Sequence, residues 1–404
     1  MALGCPNPRR LGHSGEPAET LRVRHMGTSG GQRSARTPQH LLAGRRKLIR
    51  YDAHPFFLKT TSMDKIWHIE WPHGCFNVHS RGGMLGGVSL RNGNRRIAPF
   101  YEAPWLDDEI PRQTGLLGQL RSEFPCVPFG VPWSAEAVVE SWRKSLAASV
   151  DERDHPLDAS DDLLHGYVCV AEWTLVRQTD LSIEIALDYP AESSIARVVR
   201  VIRADPNAPA IDFSVNIEAR HKTRRPIGLH PNLALPSMAG ALQIHPGSFR
   251  FGVVHPAGPE PGVSCAAPGA VFEQLDRVPL RAGGAAAFDR LPFAHDTEEI
   301  IQLCGVDGSL TLTNEESQVA YRLTWDASVL PSLLLWISNR GRTYSPWNGR
   351  NLCLGVEPVA SAFELGCRPS LTANPINARG VPTAVAIEPG KPVEMAYRFE
   401  IVAQ

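Results

Sequence analysis

The chain has 404 residues, 43% hydrophobic and 21% charged, with a formal net charge of -1. Those figures fit a globular protein with a sizeable core. They exclude a dedicated nucleic-acid or membrane-surface binder, which needs a surplus of Lys and Arg. No run approaches the ~20 apolar residues that cross a bilayer. The eight cysteines are scattered singly, with no CxxC pair and no Cys/His zinc spacing. Reduced, buried thiols, a cytoplasmic location and no bound metal are expected.

The first 62 residues stand apart. They hold 11 Lys and Arg against 3 Asp and Glu, and they carry no sustained apolar period. A disordered basic extension over 1–62 is expected, either as a simple addition or as translation from a start upstream of Met63. An arm for nucleic acid is the weaker reading of the same charge.

From Met63 onward, apolar residues recur with period two, the mark of half-buried strands. WHIEWP, MLGGVSLR and RRIAPFY read as short strands, with a hairpin turn at Asn92-Gly93-Asn94. Helical spacing is confined to Ala135–Ala148. YVCVAEWTLVRQ and LSIEIALDYP follow as longer strands. IARVVRVIRA and AIDFSVNIEARH form a second hairpin across Asp205-Pro206-Asn207. IGLHPNLALP, SLTLTN, QVAYRLTWD, LLLWISN, NLCLGVEPV and PVEMAYRFEIVA complete the series. With 34 Gly and 34 Pro to supply turns, this predicts an all-β protein. A large antiparallel β-sandwich with few short helices should occupy 63–404 as one domain.

Polar residues inside apolar strands carry the functional signal, because burying an unpaired polar group costs a few kcal/mol. His230 lies within IGLHPNLALP and Glu357 within NLCLGVEPV, each followed by proline. His165 opens HGYVCVAEWTL, with Gly166 leaving room for a close approach. Arg121 precedes the Pro-rich turn FPCVPFG. Taken singly, a histidine in a strand is more often a core or edge residue, and a glutamate before proline more often a solvated strand end.

Their order is more telling. Phe124-Pro125-Cys126-Val127-Pro128-Phe129-Gly130, then His165-Gly166, then Gly228-Leu229-His230-Pro231, then Val356-Glu357-Pro358 resembles the galactose mutarotase-like family. That family includes aldose 1-epimerases and hexose-6-phosphate mutarotases. The resemblance runs from about Gly82 to Pro358 and implies the family's large β-sandwich, its supersandwich. It also implies interconversion of the α and β anomers of a sugar without metal or cofactor. On that likeness Glu357 matches the general base, His230 the general acid and His165 a second histidine near the ring oxygen. Arg121 falls near the sugar-orienting arginine. Among the tryptophans, Trp347 in the loop TYSPWNGRN is the best candidate for a ring that faces the sugar. The Asn-Arg-Ile typical of aldose 1-epimerases is missing, and Asn232 stands where a tyrosine is usual. The substrate-binding aspartate has only Asp161, Asp162 and Asp296 as candidates. The expected partner is a small sugar, bound by a monomer or homodimer, with no membrane and no nucleic acid. A non-catalytic carbohydrate-binding protein on the same fold is the alternative.

Overall fold

The computed structural model describes residues 64–108, 115–150 and 156–402; the extension expected over 1–62 lies outside them. Two large antiparallel sheets dominate the described residues. A nine-stranded sheet follows the order Arg290–Leu291, Leu242–Pro246, Ser309–Asn314, Val319–Trp325, Val393–Val402, Ala210–Ala219, Ile195–Ala204, Ser182–Asp188, Thr174–Gln178. An eight-stranded sheet runs Val271–Phe272, Phe251–Val254, Thr297–Cys304, Ser332–Asn339, Leu352–Ala360, Ile227–Leu229, Pro125–Cys126. Its eighth member, Asn232–Ala234, also pairs with Leu352–Ala360. A four-stranded sheet, Ile66–Trp71 to Arg95–Ile97, lies at the start of the described chain. Side chains from all three sheets join one apolar core.

Alternation explains the nine-stranded sheet. In Ala210–Ala219 the residues Ile211, Phe213, Val215 and Ile217 are buried, while Asp212, Ser214 and Asn216 between them are half-buried. One face therefore packs inward and the other meets water, as antiparallel sheets allow. The central strands of the eight-stranded sheet differ, because Thr297–Cys304 and Ser332–Asn339 are buried at every position. Register sorts their side chains into two faces. Ile301, Leu335 and Val356 lie side by side on an apolar face, with Leu303, Leu333 and Pro358 beside them. The opposite face carries Glu298, Ser338 and Cys353, then Ile300, Trp336 and Gly355, then Gln302, Leu334 and Glu357. A buried face with carboxylates and an indole on it is where this sheet can do chemistry.

Several expectations need correction. The Ala135–Ala148 helix divides into a 3-10 turn at Ala135–Ala137 and an α-helix at Glu140–Ala147. The long strand expected from Tyr167 begins only at Thr174, because Tyr167–Cys169 forms a 3-10 turn. IGLHPNLALP is two short strands broken at His230-Pro231. Proline there lacks the N–H that a continuous ladder needs. Among the described residues, six cysteines are free thiols, and five of these are buried. Among the described residues, no helix is long and apolar enough to cross a membrane.

Candidate functional site

Glu357 lies in the middle of Leu352–Ala360, on the polar face of the eight-stranded sheet. Gly355 makes room for it: a Cβ at that position would run into the Glu357 carboxylate and the Trp336 side chain. His230 reaches the same place from the break after Ile227–Leu229. Its amide donates to the Phe124 carbonyl at 2.9 Å, and its ring stacks on Phe124 with centroids 4.5 Å apart. Asn232 fixes the break from within, donating to the carbonyls of Arg121 and His230. His230 Nε2 and Glu357 Oε1 then approach to 3.3 Å, without the alignment of a hydrogen bond.

His165 arrives from a third segment. Its backbone is left-handed, with φ of 57°, and Gly166 follows at 84°. Only glycine fits at 166, because a Cβ there would strike the Val127 carbonyl. This tight turn brings the His165 ring to 5.0 Å from that of His230, edge to face, and 4.8 Å from Phe129. The Gly130 N–H donates to His165 Nδ1 at 3.3 Å, which places the ring proton on Nε2.

The three side chains are closed to bulk water, with His165, His230 and Glu357 exposing 6%, 5% and 2% of their surfaces. Burial favours the neutral form of each. The Glu357 carboxyl is held well above its ordinary range, first by burial and then by the negative charge of Glu364. His230 is held well below the ordinary imidazole value by burial and by its neighbour His165. Burial likewise takes His165 down to about 4. The His230–Glu357 pair therefore holds a single proton between two groups of very different intrinsic basicity. His230 Nδ1 and Glu357 Oε1 are buried and make no hydrogen bond among the described residues. Buried polar atoms in that condition are uncommon and call for a partner that the surrounding side chains do not supply, whether water or a bound molecule.

Around this cluster stand groups that the strand pattern alone did not single out. Glu298, fully buried, accepts from the Trp336 indole at 2.7 Å and from Ser338 at 2.9 Å, and it pairs with Arg342 at 3.4 Å. Arg342 also lies over the Trp347 ring at 4.7 Å and beside Glu260 at 3.7 Å. On the other side, His255 Nε2 meets Glu364 Oε1 at 3.0 Å. The sequence offered one clue to this second pair: HP in FGVVHPAG repeats the HP of GLHPN.

The remaining candidates fall differently. Trp347 is buried against Trp105 (4.7 Å) and Trp336 (6.2 Å), so it backs the site instead of facing out of a loop. Arg121 is not brought into the cluster. Its guanidinium donates to the Gln119 carbonyl, and its stem lies near Gly86 on Leu85–Asn92. Asp161 is taken by a buried two-point pairing with Arg225. Trp173 donates to the Val168 carbonyl at 2.9 Å and belongs to the core.

No family model matches the sequence, and no curated protein matches it. Solved structures do. A candidate aldose 1-epimerase from Escherichia coli K12 superposes with a TM-score of 0.56 at 14% identity, over 85% of this chain and all of that one. An aldose epimerase homologue from C. elegans gives 0.56 at 12% identity, over 84% and 99%. A galactose mutarotase-like protein from Clostridium acetobutylicum gives 0.52 at 12%, over 85% and 98%. The fold is galactose mutarotase-like. Identities this low carry the architecture and not the chemistry. What the galactose mutarotase-like sandwich does in this chain has to be argued from Glu357, His230, His165 and their surroundings.

Proposed function

We propose that this chain is an isomerase of the aldose 1-epimerase type, converting the α and β anomers of a sugar into one another. One observation carries the reading: three distant segments deliver Glu357, His230 and His165 to one enclosed cluster, where two buried polar atoms make no hydrogen bond.

Mutarotation needs the elements that this cluster holds. In ring opening, Glu357 as carboxylate takes the proton of the anomeric hydroxyl. The bond between C1 and the ring oxygen breaks with its electron pair on that oxygen, which takes a proton from His230. Rotation about C1–C2 and the reverse steps close the ring on the other face. A single proton suffices for the pair. Passing it from Glu357 to His230 gives carboxylate and imidazolium without exchange with solvent. His165, neutral and with its proton on Nε2, supplies a fixed donor beside the ring oxygen. Enclosure strengthens each of these interactions by lowering the local dielectric.

The test is anomer exchange of freshly dissolved aldoses, followed by polarimetry or by NMR exchange spectroscopy. Proton transfer by a positioned group contributes about 10²–10⁴-fold. Glu357→Gln and His230→Asn should each lower the rate by at least about 100-fold, with the fold retained. Exchange at the spontaneous rate across a broad sugar panel would refute the reading.

A second reading is sugar binding without catalysis. It draws support from the His230–Glu357 approach of 3.3 Å, which lacks the alignment of a hydrogen bond. Sugar affinity that survives Glu357→Gln, in a protein whose native form exchanges nothing, would establish it.

A further inference from the structure

We propose that Glu364, braced by His255, sets the substrate class of this site: it accepts a hydrogen bond from a hydroxyl of an uncharged sugar and turns away sugars that carry phosphate. The inference rests on the reading of the cluster as a sugar site, and it adds a residue that the likeness to known families does not supply.

Glu364 is placed beside the cluster by backbone contacts. Its carbonyl accepts from the Val131 amide at 3.0 Å. Gly130, one residue earlier, lies so close to the Glu364 backbone that any Cβ would collide with it. The same Gly130 N–H holds His165. Glu364 is thus a near neighbour of His165, and its charge reaches Glu357 as well.

His255 orients the carboxylate. The Ala257 amide donates to His255 Nδ1 at 3.2 Å, which leaves the ring proton on Nε2; that atom lies 3.0 Å from Glu364 Oε1 as a close ion-pair contact, without the alignment of a hydrogen bond. Trp133 and Phe363 pack on the His255 ring at 5.0 and 5.2 Å and fix its plane. Glu364 Oε2 is buried and makes no hydrogen bond among the described residues. The rest of the side chain exposes 13% of its surface, so the carboxylate lies just beneath the surface of the site. Burial pushes the Glu364 carboxyl up, but His255 outweighs it and holds the group below the ordinary carboxyl range, while burial and the charge of Glu364 push Glu357 the other way. Two carboxyl groups in one site are thereby split into an ionised acceptor and a proton-holding partner.

The charges nearby point the same way. Glu298 and Glu260 add negative charge, and the Arg342 guanidinium is engaged with both. A phosphate brought close to Glu364 would meet repulsion worth on the order of a hundredfold or more in affinity. A hydroxyl would complete an acceptor left open. The pattern fits a neutral sugar.

The experiment measures both binding, by saturation-transfer NMR, and anomer exchange. It uses glucose, galactose and mannose, each alongside its 6-phosphate, at pH 7.5. The native protein should prefer the free sugar by at least about tenfold. Glu364→Gln should raise KM for the free sugar by roughly tenfold, with a smaller change in kcat, and narrow the preference. Equal acceptance of both classes overturns the inference, as does preference for the phosphate, binding of neither class, or an unchanged preference in folded Glu364→Gln. Should that variant fail to fold, the native preference alone decides. Free-sugar binding with no exchange would refute the isomerase reading and leave this one standing. Exchange without discrimination would do the reverse.

Discussion

Glu357, His230 and His165 place opposite demands on the folded chain as pH changes. The histidines have folded values below the unfolded one, so they favour the native state above about pH 6.5. That contribution is lost on acidification, for His165 between about 6.5 and about 4. Glu357 acts in the other sense, since its folded value is raised. It is harmless in acid and destabilising as pH climbs above the ordinary carboxyl range. Glu357→Gln should therefore stabilise the fold near neutrality by roughly 1–3 kcal/mol, read as a raised thermal midpoint. Near pH 4 the gain should vanish, and a midpoint that rises equally at both pH values would contradict the assignment. Activity should follow the one-proton state of the His230–Glu357 pair. Its acid limb belongs to protonation of a weakened imidazole and its alkaline limb to loss of a strongly held carboxyl proton. The profile of kcat/KM should thus be a broad plateau. A narrow bell centred between ordinary Glu and His values would count against it.

At the scale of strands and turns, what was legible in the sequence depended on whether a local rule applied. Period-two alternation located Ile195–Ala204 to the residue and Ala210–Ala219 to within two residues at its end, together with the Asp205 turn between them. It failed at Thr297–Cys304, where both faces are buried and the alternation is masked by Ile300 and Ile301. The His165 turn was hidden for another reason. Val168, Val170 and Trp173 imitate a strand, but the left-handed pair His165-Gly166 starts a 3-10 turn instead. Glu357 and His230 could be picked out because each interrupts an apolar run. Glu364 and His255 interrupt apolar runs too, in SAFELG and FGVVHP, but only the folded chain shows that they pair, at 3.0 Å. Gly355 provides a test at this scale. In Gly355→Ala the new methyl would displace the Glu357 carboxylate and press on the Trp336 side chain, so stability should fall by about 1–3 kcal/mol. Anomer exchange should fall at least tenfold. Full activity in that variant would show that the carboxylate does not need its observed seat.

Across the whole molecule, the two large sheets are tied at one charged point. Arg200 of Ile195–Ala204 and Glu123, just ahead of Pro125–Cys126, form an ion pair with both side chains fully buried. Arg200 also donates to the Gly83 carbonyl, so it anchors the first sheet as well. Glu123 is followed by Phe124, the ring on which His230 stacks. Glu123→Ala should strand a buried guanidinium at a cost of about 3–5 kcal/mol, read as a lowered denaturant midpoint. Loss of less than about 1 kcal/mol would show that water or a rearranged neighbour has replaced the carboxylate.

The division of Leu352–Ala360 into two sides, one set against lipophilic packing and one bearing acid and indole, has a bearing on how this chain can change through descent. Substitutions at 354, 356 and 358 should lower abundance in cells, whereas conservative ones at 357 should spare abundance and alter turnover. A saturation library read out for both quantities would register them as two interleaved records, alternating residue by residue along a single ribbon. New specificities can then be sampled on one side of the ribbon while the other keeps the molecule folded.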